Sequence, residues 1–273
     1  MTLVKSLTLK VEALTLPDFI RDLSTLAKLD LSDSTILIGL PNSFGRLAST
    51  LTTLDVSGCI MLTGLPNSIG SLTALTALRV SNCWQLTLLP DSIGQLAALA
   101  TLDLSRCASL DCLPESVADL AALTELDVRG CSTLQALPET IGNLAALTKL
   151  KLSCCIYLRQ LPDGIGSLQA LQMLSLSGCR RLAALPDSIG NLKALTLLNL
   201  GRCTSLSRLP DSMGNLAALS SLNVTCCSGL VSLPSTLRQL TLLTRINAGG
   251  CCEVVSKAAR ALVSHADTQR PRG

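Results

Sequence analysis

Thirteen cysteines are the side chains of this 273-residue chain best suited to chemistry, because thiolates attack electrophiles, ligate metals and form disulfides. Zinc needs ligands that converge on one point, usually with CxxC spacing, and no CxxC occurs in the sequence. Nine of the cysteines instead recur at one phase of a regular repeat. We call this set the cysteine ladder: Cys59, Cys83, Cys107, Cys131, Cys155, Cys179, Cys203, Cys227 and Cys251.

Stacking geometry argues against disulfides within the cysteine ladder. Neighbouring strands in register lie about 5 Å apart with parallel Cα–Cβ vectors, whereas a disulfide needs Cβ atoms roughly 3.5–4.5 Å apart on converging vectors. The spacing therefore predicts buried, reduced cysteines that act as small apolar residues. A metal or redox role is the alternative, carried mostly by the exposed or doubled positions. Outside the ladder lie Cys112, Cys154, Cys226 and Cys252.

The rest of the sequence lacks the groups of a catalytic centre. His265 is the only histidine and lies beside the C-terminal tail, so neither a Cys-His pair nor a Ser-His-Asp triad can form on the repeats. Neither a GxxxxGKS/T phosphate loop nor an HExxH metal motif is present. We therefore predict no enzyme, no metal site and no cofactor.

A 24-residue repeat must position these cysteines. Leu-Pro pairs begin its copies, eight of their nine intervals being 24 residues and one 25, at Leu16, Leu40, Leu65, Leu89, Leu113, Leu137, Leu161, Leu185, Leu209 and Leu233. Such a period indicates stacked repeats that bury one continuous core. The extra residue falls near Ala48 and Thr50, where we expect a tolerated bulge in the connection between strands.

Each copy combines one strand with one helical return. Residues 198–200 alternate between apolar and polar, as in a strand with one buried face. After Pro186 the apolar spacing widens to Ile189, Leu192 and Leu195, which predicts a short helix or 3₁₀ turn. We expect acidic residues and serines at the start of each return to cap it, and the following glycines to permit close packing. The serines are Ser68, Ser92, Ser116, Ser188 and Ser212.

The strand consensus LxxLxLSxCxxL resembles the leucine-rich repeat. The return LPxSIGxLxAL, with LSGC after the strand, is similar to the plant-type and Ras-group-related cytoplasmic subclass and to leucine-rich regions of plant disease-resistance receptors. The resemblance covers about residues 3–252. It implies an α/β fold, a curved solenoid of about ten 24-residue repeats with a parallel sheet on the concave side and short helices or 3₁₀ turns on the convex side. It also implies that partners bind the concave side or its rims, and that the ladder position faces inward.

Variation between copies indicates where a partner would bind. The densest mixed charge on the predicted concave side gives the candidates Arg79, Asp103, Glu125, Asp127, Arg129, Lys149 and Lys151. Charges of alternating sign in register can also simply neutralise one another. On the rim that follows the strands, the candidates are Trp84, Tyr157, Arg180 and Arg181, with scattered surface residues as the alternative.

Charge and composition exclude other classes of partner. The net charge is only +3, and four aromatic residues offer almost no stacking platform, so we predict no nucleic-acid binding. No apolar stretch approaches the roughly 18 residues of a membrane span, and no secretory leader is readable. With reduced cysteines, these features predict a cytoplasmic protein, or one that is both cytoplasmic and nuclear.

The predicted organisation has four parts. Residues 1–15 form a truncated N-terminal strand, 16–252 the solenoid, 253–266 a C-terminal capping helix and 267–273 a disordered tail. Phe44 is expected in the core, and Phe19 is expected to cover the N-terminal end.

The function that these features predict is a non-enzymatic scaffold or recognition module that binds a protein partner, in an immune or signalling pathway. One alternative is the recognition segment of a larger nucleotide-switch receptor. The other is a metal or redox protein based on the cysteines.

Overall fold

The computed structural model describes residues 4–16, 20, 22–47 and 49–268, with side chains to residue 262. The chain divides into two compact units, Met1–Leu134 and Gln135–Gly273, and each is described by itself. The predictions for Phe19 and for residues 269–273 of the tail lie outside the described residues.

The first unit holds six three-residue strands that pair in parallel, each with the next along the chain. They are β1 Ser6–Thr8, β2 Lys28–Asp30, β3 Thr53–Asp55, β4 Ala77–Arg79, β5 Thr101–Asp103 and β6 Glu125–Asp127. Among the described residues, four return segments are continuous 3₁₀ helices: Asn42–Leu47, Asn67–Ser71, Asp91–Gln95 and Glu115–Asp119. The extra residue of the second copy follows the first of these helices, because the buried Leu47 and Leu51 are four residues apart where the equivalent Leu72 and Leu75 are three apart.

The second unit repeats this pattern and ends in an α-helix. Its strands are β7 Lys149–Lys151, β8 Met173–Ser175, β9 Leu197–Asn199, β10 Ser221–Asn223 and β11 Arg245–Asn247. Its 3₁₀ returns are Glu139–Asn143, Asp163–Ser167, Asp187–Asn191, Asp211–Asn215 and Ser235–Gln239. Helix α1, Glu253–Thr268, packs against β11 and the last return, and its Val255 and Ala259 are buried.

The apolar residues of each copy are buried as the repeat predicts. In the second-unit copy that begins at Leu185, the return residue Ile189, the strand residue Leu198 and Leu200, which directly follows the strand, have no exposed area, and Leu185 is 6% exposed. Phe44 is 1% exposed, which confirms its place in the core. The fold is therefore the predicted repeat solenoid of parallel strands and 3₁₀ returns.

Within each unit, the cysteine ladder joins neighbouring copies. In the described bonds, each ladder thiol donates to a backbone carbonyl of the preceding copy at 2.9–3.4 Å, as Cys107 does to Val80 at 3.1 Å. Ser34 takes the equivalent position in the first copy, where its Oγ accepts the Val11 N–H at 2.8 Å. All thirteen cysteines are free thiols. The ladder is thus a set of buried donors for strand-end carbonyls.

The serines at the start of the returns do not cap them, contrary to expectation. The cap position of the returns with an assigned N-cap is a proline without a side-chain hydrogen bond, as at Pro186. The serine hydroxyls are buried and unpartnered, at Ser68, Ser92, Ser116, Ser188 and Ser212. Each serine packs instead against a glycine of the preceding copy: a Cβ on Gly190 would overlap the carbonyl oxygen of Ser212. Small size, rather than capping, accounts for serine here, and the expected close packing at glycine is confirmed.

Candidate functional site

The candidate side chains of the strand face lie in two units. Arg79 ends β4, Asp103 ends β5, and Glu125 and Asp127 lie on β6. Register pairs Arg79 with Asp103, and Asp103 with Asp127. Because side chains alternate along a strand, these residues share the face opposite the buried leucines.

Asp103 also has a backbone role, because its Oδ1 accepts the N–H of Ser105 at 2.9 Å. The same bond forms after other strands that end in Asp or Asn, as from Ser57 N–H to Asp55 and from Gly201 N–H to Asn199. A short side-chain acceptor two residues before an N–H closes the turn that follows the strand. Asp and Asn at this position are thus explained in part by the turn.

Asp127 is a buried carboxylate held by Arg129. Its residue is 4% exposed; Arg129 donates its backbone N–H to Oδ1 at 3.1 Å and its Nε to both oxygens at 2.9 Å. The Arg129 Nη2 lies 2.8 Å from Oδ2. The hydrogen bond with Asp127 raises the pKa of Arg129. Arg129 therefore presents the exposed part of this pair, and Asp127 supports it.

Arg79 is more loosely held than Arg129. Its Nη1 lies 3.7 Å from Oδ2 of Asp55, and half of its side chain is exposed. Such a surface pair contributes roughly 0–1 kcal/mol, so Arg79 remains available to a partner.

Lys149 and Lys151 lie on β7 of the second unit. Their side chains share the face opposite Leu150, which is fully buried, and both take part in polar interactions.

The rim of the first unit is apolar. Trp84 is 55% exposed in the segment that follows β4. Leu88 is exposed in the same segment, and Ile36, Ile38 and Met61 are exposed in the corresponding segments of the two preceding copies. Backbone bonds connect these segments, since Thr63 N–H donates to Ile38 and Gln85 N–H to Ile60. The rim candidate Trp84 thus belongs to a surface of several apolar side chains.

The rim of the second unit is basic. Tyr157 is 40% exposed, and the guanidinium carbon of Arg181 lies 4.1 Å from the centre of its ring. Arg180 is exposed beside Arg181. The structure thus brings together three of the four residues predicted for the rim, Tyr157, Arg180 and Arg181, while Trp84 lies in the other unit.

Arg159 is exposed in the segment that follows β7, but it is not among the residues that the sequence predicted for this rim. The net charge of the whole chain conceals the excess of basic residues in its second half. Residues 1–134 carry 13 acidic and 8 basic residues, whereas residues 135–273 carry 6 acidic and 14 basic residues. An asymmetry between halves of a chain is a readable sign of charged interaction surfaces.

The ladder thiols are chemically quiet. Burial raises the pKa of Cys59 and Cys227 to about 11 and that of Cys107 and Cys179 to about 12, so the reactive thiolate is disfavoured at neutral pH. Within the described residues, no three His, Cys, Asp or Glu side chains are placed to hold a metal ion.

Cavities occur at the returns of the second unit. One of them, about 530 Å³, is lined by Asp187, Asp211 and Arg208 beside Leu-Pro backbone. A second, about 400 Å³, lies between the last return and α1 and is lined by Leu233 and Leu262. In the part of the chain that the structure describes, no helix is long and apolar enough to cross a membrane.

Comparison with sequence families identifies the repeat at two places. A family described as "Leucine-rich repeat region" matches residues 154–265, and one described as "Leucine Rich Repeat" matches residues 50–72. No curated protein sequence matches the chain.

Solved structures support the same fold. The chain is similar to the leucine-rich repeat domain of the type III effector XopL, with 27% identity and a TM-score of 0.66 over 78% of this chain and 73% of that one. It resembles a TDR receptor with 24% identity and a TM-score of 0.64, over 91% of this chain and 43% of that one. An internalin from Listeria monocytogenes matches at 16% identity and a TM-score of 0.57, over 96% and 85% of the two chains.

Proposed function

We propose that this chain, a leucine-rich repeat protein, is a non-enzymatic scaffold that recognises a protein partner through its strand faces and the rims that follow them. The repeats hold the binding residues in fixed register. Recognition depends on the side chains that differ between copies.

One observation carries this proposal: the repeated residues are buried and the residues that differ are exposed. The second apolar residue of the strand segment and the ladder cysteine are fully buried in successive copies, as at Leu104 and Cys107 and again at Val128 and Cys131. The position after the ladder cysteine holds the exposed residues Trp84, Ile156 and Arg180 in different copies. A rigid core that presents varied side chains is suited to specific binding, and exposed aromatic and arginine residues favour tight interfaces.

The finer role that we propose is recognition in an immune or signalling pathway, in the cytoplasm or in both cytoplasm and nucleus. Its support is the similarity of the return sequence to plant-type cytoplasmic repeats, together with the effector domain among the similar structures. The wholly reduced cysteines agree with a reducing compartment.

Affinity capture with matched surface variants tests the scaffold. Wild-type protein immobilised on beads should retain at least one protein from an extract of the source cells, at near-equal molar amount. Trp84→Ser combined with Arg79→Glu should reduce that amount, because both side chains are about half exposed on candidate surfaces. Leu242→Ser is the control, since Leu242 is 55% exposed like Trp84 but lies beyond the last return helix.

Two outcomes would refute the scaffold: no protein retained by the wild type, or equal loss in the control. All variants should first show the wild-type unfolding temperature, so that lost capture reports the surface rather than the fold. Mass spectrometry would then identify the partner as a protein whose retention depends on Arg79 or Trp84.

A further inference from the structure

Five exposed arginines lie in three successive copies of the second unit, and one of them, Arg208, lines a cavity with Asp187 and Asp211. We call the other four the arginine rim: Arg159, Arg180, Arg181 and Arg202. Arg159 follows β7, Arg180 and Arg181 follow β8, and Arg202 follows β9.

Backbone hydrogen bonds hold the three segments side by side. The Ala183 N–H donates to the Arg159 carbonyl at 3.2 Å, and the Ser205 N–H donates to the Arg180 carbonyl at 3.2 Å. Segments stacked in this way are spaced about 5 Å apart, so the rim extends roughly 10 Å along the repeats. That length corresponds to about three residues of extended peptide.

Among the side chains described in the second unit, no carboxylate neutralises the charge of the arginine rim. The acidic side chains that the structure describes in this unit lie at the starts of the returns and on α1, at Glu139, Asp163, Asp187, Asp211 and Glu253. No rim guanidinium forms an ion pair with a described residue. Four cations on one edge with no internal anion form a surface complementary to an anionic partner.

Tyr157 orients one of the cations. The Arg181 guanidinium carbon lies over the Tyr157 ring, 4.1 Å from its centre, a cation–π contact that restrains the side chain at the rim. The N–H donors of a guanidinium point outward in that plane and match the two oxygens of a carboxylate. Arg181 is thus pre-organised for bidentate binding.

We propose that the arginine rim binds an acidic segment of a protein partner, through aspartate or glutamate carboxylates. This inference rests on the proposed scaffold function and names the chemistry of one surface of the partner. A protein segment fits better than nucleic acid because the single aromatic ring here is already covered by Arg181, which leaves no platform for stacking bases.

Binding of a labelled octaglutamate peptide tests the proposal. Fluorescence anisotropy should show saturable binding to the wild-type chain that weakens as salt rises. Arg180→Glu with Arg181→Glu should weaken binding at least about tenfold, since reversed charges at a binding surface repel the ligand. Arg238→Glu with Arg260→Glu changes the net charge equally at exposed positions on the last return and α1, and should change affinity less than about twofold.

Equal weakening in both double variants would overturn the proposal, because it would show attraction by net charge alone. Tighter binding of an oligouridine of equal length would also overturn it, in favour of nucleic acid. Absence of peptide binding, with partner capture by Trp84 and Arg79 intact, would refute the arginine rim and leave the scaffold standing. Peptide binding without capture of any protein partner would refute the scaffold and leave the arginine rim standing.

Discussion

Raising the pH should weaken the fold through its buried thiols, and Cys107 allows the effect to be isolated. Cys107 is fully buried, and its burial raises its pKa from 9.0 to about 12. In the unfolded chain the thiol ionises near 9, whereas in the folded chain it stays protonated until about 12. The stabilisation that Cys107 contributes is therefore fully present below pH 9 and is lost as the pH rises from 9 towards 12.

The magnitude follows from the titration of the unfolded state. Between pH 8 and pH 10 one such thiol favours the unfolded chain by about 1.4 kcal/mol, the free energy of one pKa unit. Cys107→Ala removes this titration. The variant is less stable at pH 8 because it loses buried volume and the bond to Val80. Between pH 8 and pH 10, however, its free energy of unfolding should fall by about 1.4 kcal/mol less than that of the wild type.

Urea unfolding followed by circular dichroism at pH 8, 9 and 10, in a thiol-free reductant, measures the difference. Val80→Ala is the control: Val80 is fully buried in the same strand-end region but cannot titrate, so its stability deficit should be equal at all three values. Parallel loss of stability in wild type and Cys107→Ala would refute the reasoning. A changed slope of the unfolding free energy against urea concentration would instead indicate that a different amount of surface is exposed on unfolding.

Three further predictions concern packing, turns and thiols. Gly190→Ala should destabilise the chain by about 1–3 kcal/mol, measured by urea unfolding, because the new Cβ overlaps the Ser212 carbonyl, whereas Gly64→Ala meets no atom within 4 Å and should be close to neutral. Asp103→Ala should cost about 1 kcal/mol by the same assay through loss of the bond from Ser105 N–H, and Asp103→Asn should retain most of that stability. Titration of the native protein with a chromogenic disulfide should modify the four exposed cysteines rapidly, while the eight buried ones react only after unfolding; fast reaction of all thirteen would contradict the ladder's burial.

The repeating part of the fold is predictable from sequence because each position does the same job in every copy. The spacing of Leu198, Leu200 and Ile189 within one copy specifies a strand and a return, and ten copies remove the ambiguity of a short apolar run. The cysteine phase likewise predicts inward thiols, and the buried Cys107 confirms this. Periodicity carries this information without any knowledge of tertiary contacts.

Roles set by contacts between copies are not predictable in this way. Ser188 has the residue type and position of a helix cap, yet it lies against a glycine of the preceding copy and its hydroxyl has no partner. Asp103 and Asp127 look like free surface charges, yet one closes a turn and the other is buried under Arg129. Separating these roles requires the distance from each oxygen to its donor, which a pattern of residue types does not contain.

The surface is intermediate in predictability. The phase of the repeat places Tyr157 and Arg181 in the same exposed segment, but only the structure shows the stacked contact between them. The structure is also needed to show that the acidic side chains described in the second unit lie away from the arginine rim.

The register of the cysteine ladder has a consequence for how such a chain can change by inheritance. Cys107 and Cys203 each bond a carbonyl 27 residues earlier, and the spacing becomes 28 at Cys59 because the extra residue lies between Leu47 and Leu51. Duplicating or deleting the gene segment that encodes one complete 24-residue copy would leave every remaining thiol with an equivalent carbonyl. The number of copies can therefore vary without new contacts between neighbouring copies. A duplicated copy can then diverge at its exposed positions while its buried positions stay fixed.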